Sequence, residues 1–450
     1  DRRKQLALLL MLAYFLSGWF GRCDLVLRIR QGVHALNITP VAEVVVRKYG
    51  GSSIATPEKV LAIADRIAAT RSALPKLVVV VSAMGKTTDD LVALAHKVTR
   101  RPEGREMDLL LASGEQISVS LLGLALQDRD VPAVSLTATQ CGIRTDEMFN
   151  VARIRSIDTQ RILDELRDDR VVIITGFQGV TDSHEITTLG RGGSDVTGAA
   201  VAAALDAQVC EICTDVDGVL SADPSIASNT RLWSKLSYEE AIEMASSGAK
   251  VLHPRAAEIC MNYGIPIHVR SSFHNREGTW IRSREDVMET AEVVGVSSDK
   301  NVAKLTLLNV EDRPGVAAKV FEELAAEGIS IRLIIQSASS EDRARITFIV
   351  DEEYVDAATE VFRRWKEEEL ASDVLVDRDV AKISIVGSRI ASTPNLAARM
   401  FVALARENIN IDCISSSEMK VACVIASKHL NKAVQVVHDE FFALELKADG

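Results

Sequence analysis

The sequence predicts an α/β protein: a three-layer αβα domain with a largely parallel sheet, followed by two βαββαβ (ferredoxin-like) units. Three observations lead there. From Val44 to about Arg282, short and uniformly apolar runs alternate with helical stretches, the pattern of strands covered by helices on both faces. Hydrophobic residues make up 47% of the chain but aromatic ones only 4%, which favours close helix-on-sheet layers over aromatic-rich all-β folds. Beyond residue 300 the chain repeats itself. Val302-Ala-Lys-Leu-Thr-Leu-Leu matches Val380-Ala-Lys-Ile-Ser-Ile-Val, and Pro314, Phe321, Ile329 and Ile331 recur at constant spacing as Pro394, Phe401, Ile409 and Ile411. A chance likeness of two small α/β units is the alternative, and the shared register of so many positions argues against it.

The elements follow in order. Residues 1–40 read as an extension outside the globular fold. Arg2, Arg3 and Lys4 precede an apolar run from Leu6 to Phe20, shorter than the ~20 residues of a membrane span. A membrane-associated segment is the alternative reading. The first domain is expected over 41–285. Its opening strand runs from Val44 to Tyr49, a glycine turn follows, and Pro57 opens a helix to about Ala73. Further strands are expected at Leu77–Val81, Ala133–Leu136, Val171–Thr175 and Val209–Thr214, with a helix from Asp89. The two repeats are expected over 300–375 and 378–447.

With 52 basic and 63 acidic residues the net charge is −11, which excludes the electrostatic footprint of a nucleic-acid binder. The seven cysteines show no disulfide spacing, so a reduced, cytoplasmic setting is expected. Cys210 and Cys213 form a C-x-x-C inside an apolar strand with no second ligand pair nearby, and core packing is the expected role.

Three glycine-rich segments carry the chemistry. In Lys48-Tyr-Gly-Gly-Ser-Ser53 the glycines let backbone N–H groups approach a phosphate, and Lys48 offers a point charge. A tight turn with a solvated lysine is the plainer alternative. In Leu189-Gly-Arg-Gly-Gly-Ser-Asp195 the turn precedes a good helix former, with Ser194 and Asp195 expected at the N-cap and Arg191 offering a fork for a carboxylate. A merely capped helix with a surface arginine is the alternative there. Thr214-Asp-Val-Asp-Gly-Val-Leu-Ser-Ala-Asp-Pro224 leaves a buried strand into an Asp-rich loop, whose carboxylates could orient magnesium or a ribose. Such turns are common. Glu115 could hold an ammonium group, although in isolation it reads as surface charge.

Together with Val81-Ser-Ala-Met-Gly, Arg105-Glu-Met-Asp, Gly176-Phe-Gln-Gly and Gly248-Ala-Lys-Val-Leu-His-Pro254, these segments resemble the aspartokinases, in the family's order, from about Val44 to Phe442. The resemblance implies an amino-acid-kinase catalytic domain followed by tandem ACT domains. It further implies transfer of the ATP γ-phosphate to the side-chain carboxylate of L-aspartate, with ATP and magnesium (Mg2+) as cofactors. Lys48 and Asp195 would be catalytic. Lys48, Tyr49, Gly50, Gly51, Ser52, Gly192, Gly193, Ser194, Thr214, Asp215, Asp223 and Lys250 would serve ATP. Ser82, Thr87, Thr88, Glu115 and Arg191 would hold aspartate, and no protein metal ligand is implied. An amino-acid effector, lysine or threonine, would be sensed through Gln336, Asn410, Ile411, Ser417 and Glu418, in a homodimer or higher homo-oligomer built on the ACT domains.

The chain departs from the family pattern at Leu220, Ser225 and Cys213, where Tyr, Arg and Tyr are usual, which puts ATP affinity in question. In the first repeat Ser330-Ile331-Arg332 replaces Asn-Ile-Asp, and the Arg332 cation is expected to repel an effector ammonium group. Two competing readings are another amino-acid kinase, acting on glutamate or acetylglutamate, and a catalytically weak ACT-bearing binding protein.

Overall fold

The computed structural model describes residues 44–443 except 75, 101, 288–290, 341–342, 369, 391 and 394, and omits the side chains of 338–340. The expected extension over 1–40 lies outside the described residues.

The first domain opens with β1 (Val45–Tyr49), the Gly51–Ile54 turn, α1 (Pro57–Thr70) and β2 (Leu77–Val81). Pro57 stands at the first helical position, and the Thr56 hydroxyl accepts the Lys59 N–H, so α1 starts where the sequence places it. Next come α2 (Thr87–Val98), α3 (Arg105–Gln127), β3 (Ala133–Leu136), β4 (Ile143–Thr145), β5 (Ile154–Ile157), α4 (Gln160–Arg167) and β6 (Val171–Thr175). Then follow β7 (Gln178–Val180), β8 (Ile186–Thr188), α5 (Gly193–Ala204) and β9 (Val209–Thr214). The domain closes with β10 (Lys235–Ser237), α6 (Tyr238–Ser247), α7 (Pro254–Tyr263), β11 (Ile267–Ser271) and β12 (Thr279–Arg282).

The main sheet runs β10-β12-β11-β9-β1-β2-β6-β3. From β11 to β3 every pairing is parallel, and β12 turns back antiparallel on β11. One core joins Val45 and Val79 of the sheet to Ile63 and Ile67 of α1 and Leu122 and Leu126 of α3. Helix α5 crosses the other face against β1 and β9. This is the expected αβα layering. A smaller sheet, β5-β4-β7-β8, has strands of three or four residues, too short to show a period in the sequence. Helix α3 is long and apolar enough to cross a membrane, but it is mostly buried here as a core helix.

The C-terminal half begins with β13 (Gly295–Asp299) and β14 (Val302–Glu311), followed by α8 (Val316–Ala326), β15 (Ile331–Ser340), β16 (Arg343–Asp351), α9 (Val355–Glu367) and β17 (Asp373–Asp377). The second unit has β18 (Val380–Val386), α10 (Asn395–Arg406), β19 (Cys413–Ser416), β20 (Lys420–Ala426) and α11 (Leu430–Phe442). The first unit is the expected βαββαβ, with sheet order β15-β16-β14-β17. The second differs in one element. Its sheet runs β13-β18-β20-β19, so its outer strand comes from ahead of the first unit rather than from the chain after α11. The first unit is therefore inserted between two strands of the second. Their sheets meet through Val302, Ile349, Val380 and Val424, and through an ion pair from Lys304 to Asp412 at 2.7 Å.

Candidate active site

The glycine-rich segments converge beyond the C-terminal ends of β1, β2, β6 and β9, where a parallel sheet leaves a crevice. Lys48 points to the α5 face of the sheet. Gly198 lets α5 pass close, since a Cβ there would stand 3.3 Å from Lys48 Cβ. Lys48 Nζ lies 2.5 Å from Asp195 Oδ1, and both side chains are nearly buried. Asp195 Oδ2 accepts the His253 backbone N–H at 3.1 Å, tying the start of α7 to the same carboxylate. Gly51 packs against the next loop, its would-be Cβ 2.8 Å from Ala83 O, and Gly176 packs on Ser194, its would-be Cβ 2.6 Å from Ser194 Oγ.

Ser194 and Asp195 do not cap α5. The helix starts at Gly193, and Gly192, at φ 70°, takes the cap position. The left-handed turn is open to glycine, and a Cβ there would strike the His253 ring at 2.3 Å. Ser194 and Asp195 thus occupy the first turn, with no side chain capping the positive helix end.

Glu115 is not surface charge. It is 3% exposed, beneath the Ser82–Gly85 loop, where Oε1 accepts the Ala83 N–H at 3.0 Å and Oε2 has no partner. Burial pushes its carboxyl up to about 7, against the lowering effect of the Ala83 N–H. Ser82 and Thr88 are half-buried nearby in the chain, and Thr87 spends its hydroxyl on Met84 O at the start of α2. Arg191 stands at the rim with its side chain 89% exposed, and Glu353 of the first C-terminal unit lies 3.8 Å away. The Tyr49 phenol faces away from Lys48, fully buried in the α1-side core, because side chains alternate along a strand. Its side chain does not reach the crevice, which corrects its expected place beside ATP.

A cavity of about 560 Å³ adjoins the end of β9. Thr214, Asp215, Asp223 and Lys250 line it, with Leu220 and Ser225. Asp223 Oδ1 accepts both the N–H and the hydroxyl of Ser225, so part of that loop is satisfied internally. Among the described residues, no three of His, Cys, Asp and Glu stand together as a metal cage.

Three groups had escaped the sequence reading. Asp108 is fully buried in α3 and accepts from Asn150 N, Asn150 Nδ2, Thr188 N and Thr188 Oγ1. It anchors the start of the Thr188–Gly193 turn that carries Arg191. Its motif, Arg105-Glu-Met-Asp, was visible, but a lone acid in an apolar helix does not announce its partners. His253 likewise sat in a noted motif without a role. On the opposite face, buried Arg47 and Glu211 pair at 2.5 Å, joined by Arg270 at 3.2 Å. Burial would raise Glu211, but the His268 ring 3.7 Å away and the two guanidiniums hold it at about 2. Cys213 is free and buried beside this network, and Cys210 is free and buried on the α5 face near Gly198, as core packing requires.

The fold and this crevice define a kinase that acts on a small molecule, and the family models agree. The amino acid kinase family matches residues 43–271, and the ACT domain matches 308–364 and 383–441. An aspartokinase of Geobacillus stearothermophilus is 42% identical over 398 residues, 88% of this chain and 97% of the relative. One from Mycolicibacterium smegmatis is 44% identical over 402 residues, 88% of this chain and 96% of the relative. Of solved structures, E. coli aspartokinase III in complex with aspartate and ADP (R-state) superposes with a TM-score of 0.76 at 26% identity, covering 89% of this chain and 100% of that one. Its complex with lysine and aspartate (T-state) gives 0.67 with the same coverage. The chain belongs to the aspartokinase family.

Proposed function

We propose that this chain phosphorylates L-aspartate with ATP, giving 4-phospho-L-aspartate, the first step towards lysine, threonine and methionine. The observation that carries this reading is the Lys48–Asp195 pair at the meeting of the glycine-rich turns, with an unsatisfied Glu115 oxygen beside the Ser82–Gly85 loop. The side-chain carboxylate of aspartate is ionised at neutral pH and attacks without a general base. One of its oxygens bonds to the γ-phosphorus, the bond from that phosphorus to the β,γ-bridging oxygen breaks, and ADP leaves with the electron pair. The obstacle is two approaching anions, so catalysis rests on position and positive charge. Lys48, kept in place by Asp195, faces the transferred phosphoryl group. Gly50, Gly51, Ser52, Gly192, Gly193 and Ser194 present backbone to the phosphates. Thr214, Asp215, Asp223 and Lys250 receive the rest of the nucleotide. Glu115 takes the substrate ammonium group, Ser82, Thr87 and Thr88 border it, and Arg191 swings in from the rim to a carboxylate.

Magnesium suits this donor set, because it keeps waters and binds through phosphates with one or two carboxylates rather than a protein cage. Asp215 and Asp223, with Asp299, are the carboxylates on the cavity wall. The ion would neutralise charge on the phosphates. The enzyme is read as cytoplasmic, as its free cysteines suit, and as a homo-oligomer built on its ACT domains.

Effector binding is assigned to the ACT pair. Gln336 lines a cavity of about 340 Å³ with Glu311, Asp312, Pro314 and Gly315, and its Nε2 donates to Asp312 Oδ1 at 3.2 Å. In the second unit Asn410, Ser417 and Glu418 are exposed and Ile411 half-buried. The Arg332 cation does not stand free to repel a ligand. Asp351 accepts from its Nε at 3.0 Å and its Nη2 at 2.9 Å, which offsets its charge and weakens the expected repulsion. Ser330 still offers a hydroxyl in place of the family's amide, so weakened or altered lysine or threonine feedback at the first site remains this reading.

Incubation with ATP, magnesium and aspartate followed by hydroxylamine should yield aspartyl hydroxamate. Hydroxamate only with glutamate or acetylglutamate would assign a different amino-acid kinase, and none with any acceptor would favour a binding protein.

A further inference from the structure

Helix α11 of the second ACT domain reaches the loop that forms the 560 Å³ cavity. His438 is 1% exposed, and its Nε2 lies 2.8 Å from Ser221 Oγ. Ser221 is itself fully buried in the connection between β9 and β10. Its hydroxyl also accepts the Arg231 N–H at 2.8 Å, its own N–H donates to Arg231 O at 2.9 Å, and its carbonyl accepts the Val296 N–H at 2.7 Å. One turn before His438, Gln435 Oε1 accepts the Ser228 N–H at 2.9 Å, and its Nε2 donates to Asp439 at 2.9 Å. At the start of the same helix, Leu430 and Asn431 line the cavity opposite Thr214 and Asp215. The docking is tight elsewhere too. A Cβ on Gly248 would stand 2.3 Å from Ser298 O, and Trp233 Nε1 donates to Val294 O at 2.7 Å.

The β9–β10 connection is long for a compact domain, and it is rich in Asp, Ser and Gly. Such a loop loses much conformational freedom when it closes on a ligand, and a loop ordered beforehand binds more tightly. Here the order comes from outside the catalytic domain.

We propose that the second ACT domain is a working part of the nucleotide site. His438 and Gln435 are positioning residues that hold the 215–233 loop in its nucleotide-receiving form, and Asn431 is part of the wall the nucleotide meets. This rests on the reading of the cavity as the ATP pocket. Its consequence is specific: a shift of α11 changes nucleotide affinity before it changes aspartate affinity, because no hydrogen bond among the described residues joins Glu115 or the Ser82–Gly85 loop to that helix.

The test uses the full chain with Gln435→Ala, His438→Gln, Ser221→Ala and the Ser221→Ala/His438→Gln double variant. ADP affinity is read by calorimetry, and KM for each substrate and kcat by steady-state assay. Loss of one hydrogen bond of ordinary worth should weaken ADP binding and raise KM for ATP about five-fold. KM for aspartate and kcat should stay within about two-fold of wild type. The double variant should be no worse than Ser221→Ala, since His438→Gln removes only a contact that Ser221→Ala already removes. Folded variants with unchanged ADP affinity, KM values that rise together for both substrates, or additive effects in the double variant would overturn the proposal. Gln435 is only half-buried on α11, so its variant carries the test even where His438→Gln fails to fold. Wild-type protein that binds no ADP would instead sink the nucleotide reading of the cavity.

Discussion

Burial sets the charge of the residues on which the site depends. Glu115 is raised from an ordinary 4.5 to about 7 by desolvation. Its folded value lies above its unfolded one, so the native state holds the extra proton between those two values. The stability this group contributes is full below 4.5 and lost as pH rises to 7. Ligand binding runs the other way, because an ammonium group needs the ionised carboxylate. KM for aspartate should therefore fall as pH climbs through about 7. Glu115→Gln should flatten that profile, raise KM for aspartate and raise the Tm at about pH 8. Equal Tm values for the two proteins across that range would contradict the buried-carboxylate account. Lys48 and Asp195 make the opposite case, a nearly buried pair in which the two charges offset each other at 2.5 Å although Asp195 Oδ1 lacks a well-directed hydrogen bond. Lys48→Ala should lower kcat by roughly two to three orders of magnitude, as loss of one electrostatic contact to a developing charge does. Turnover near wild type would remove Lys48 from the reaction.

The elements matter through what pins their loops. Asp108 gathers four donors, two from Asn150 and two from Thr188, at the base of the Gly-rich turn. Asp108→Asn puts an amide donor where only donors face it, costing about 1–3 kcal/mol. Because the turn carries Arg191, KM for aspartate should rise and KM for ATP should not, and an ATP-only effect would show that the turn serves the nucleotide instead. On the other side of the crevice, Leu220 and Ser225 face the cavity and give a nucleotide neither a ring nor a charge. Ser225→Arg with Leu220→Tyr should tighten ADP binding several-fold, through charge-assisted and stacking contacts. An unchanged affinity by calorimetry would mean that the Asp223–Ser225 turn keeps the new side chains away.

For the whole molecule, the interlaced ACT pair is decisive. Strand β13 pairs with β18 from Gly295 opposite Val386 to Asp299 opposite Lys382, although the first unit separates them in the chain. It also covers the catalytic domain, since Gly295 packs on Met244 and Val296 N donates to Ser221 O. A fragment over 378–450 should be unfolded or aggregated, because it exposes the edge and apolar face of β18. One over 291–450 should give a cooperative thermal transition by circular dichroism. A stably folded 378–450 would show that β13 is dispensable.

Much of this was legible along the chain, where the signal is local. Buried parallel strands are uniformly apolar, helices begin at Pro57 or at glycine turns, and a repeat announces itself by matching register. Lys48, Asp195 and the Asp-rich loop stood in recognisable segments because glycine is required wherever backbone must approach a phosphate. The rest depended on partners far apart in sequence. Glu115 became a raised, half-satisfied carboxylate only when the Ser82–Gly85 loop closed over it. Tyr49 left the site because strand alternation turned it into the core. Asp108, His253 and His438 gained their roles from backbone donors, a carboxylate and hydroxyls that arrive from 42 or more residues away. The second ACT sheet took its outer strand from ahead of the first unit, because a strand edge is satisfied by whichever segment the packed chain brings beside it. Periodicity and turn chemistry are properties of neighbouring residues and can be read from them, whereas desolvation and hydrogen-bond pairing belong to the folded chain.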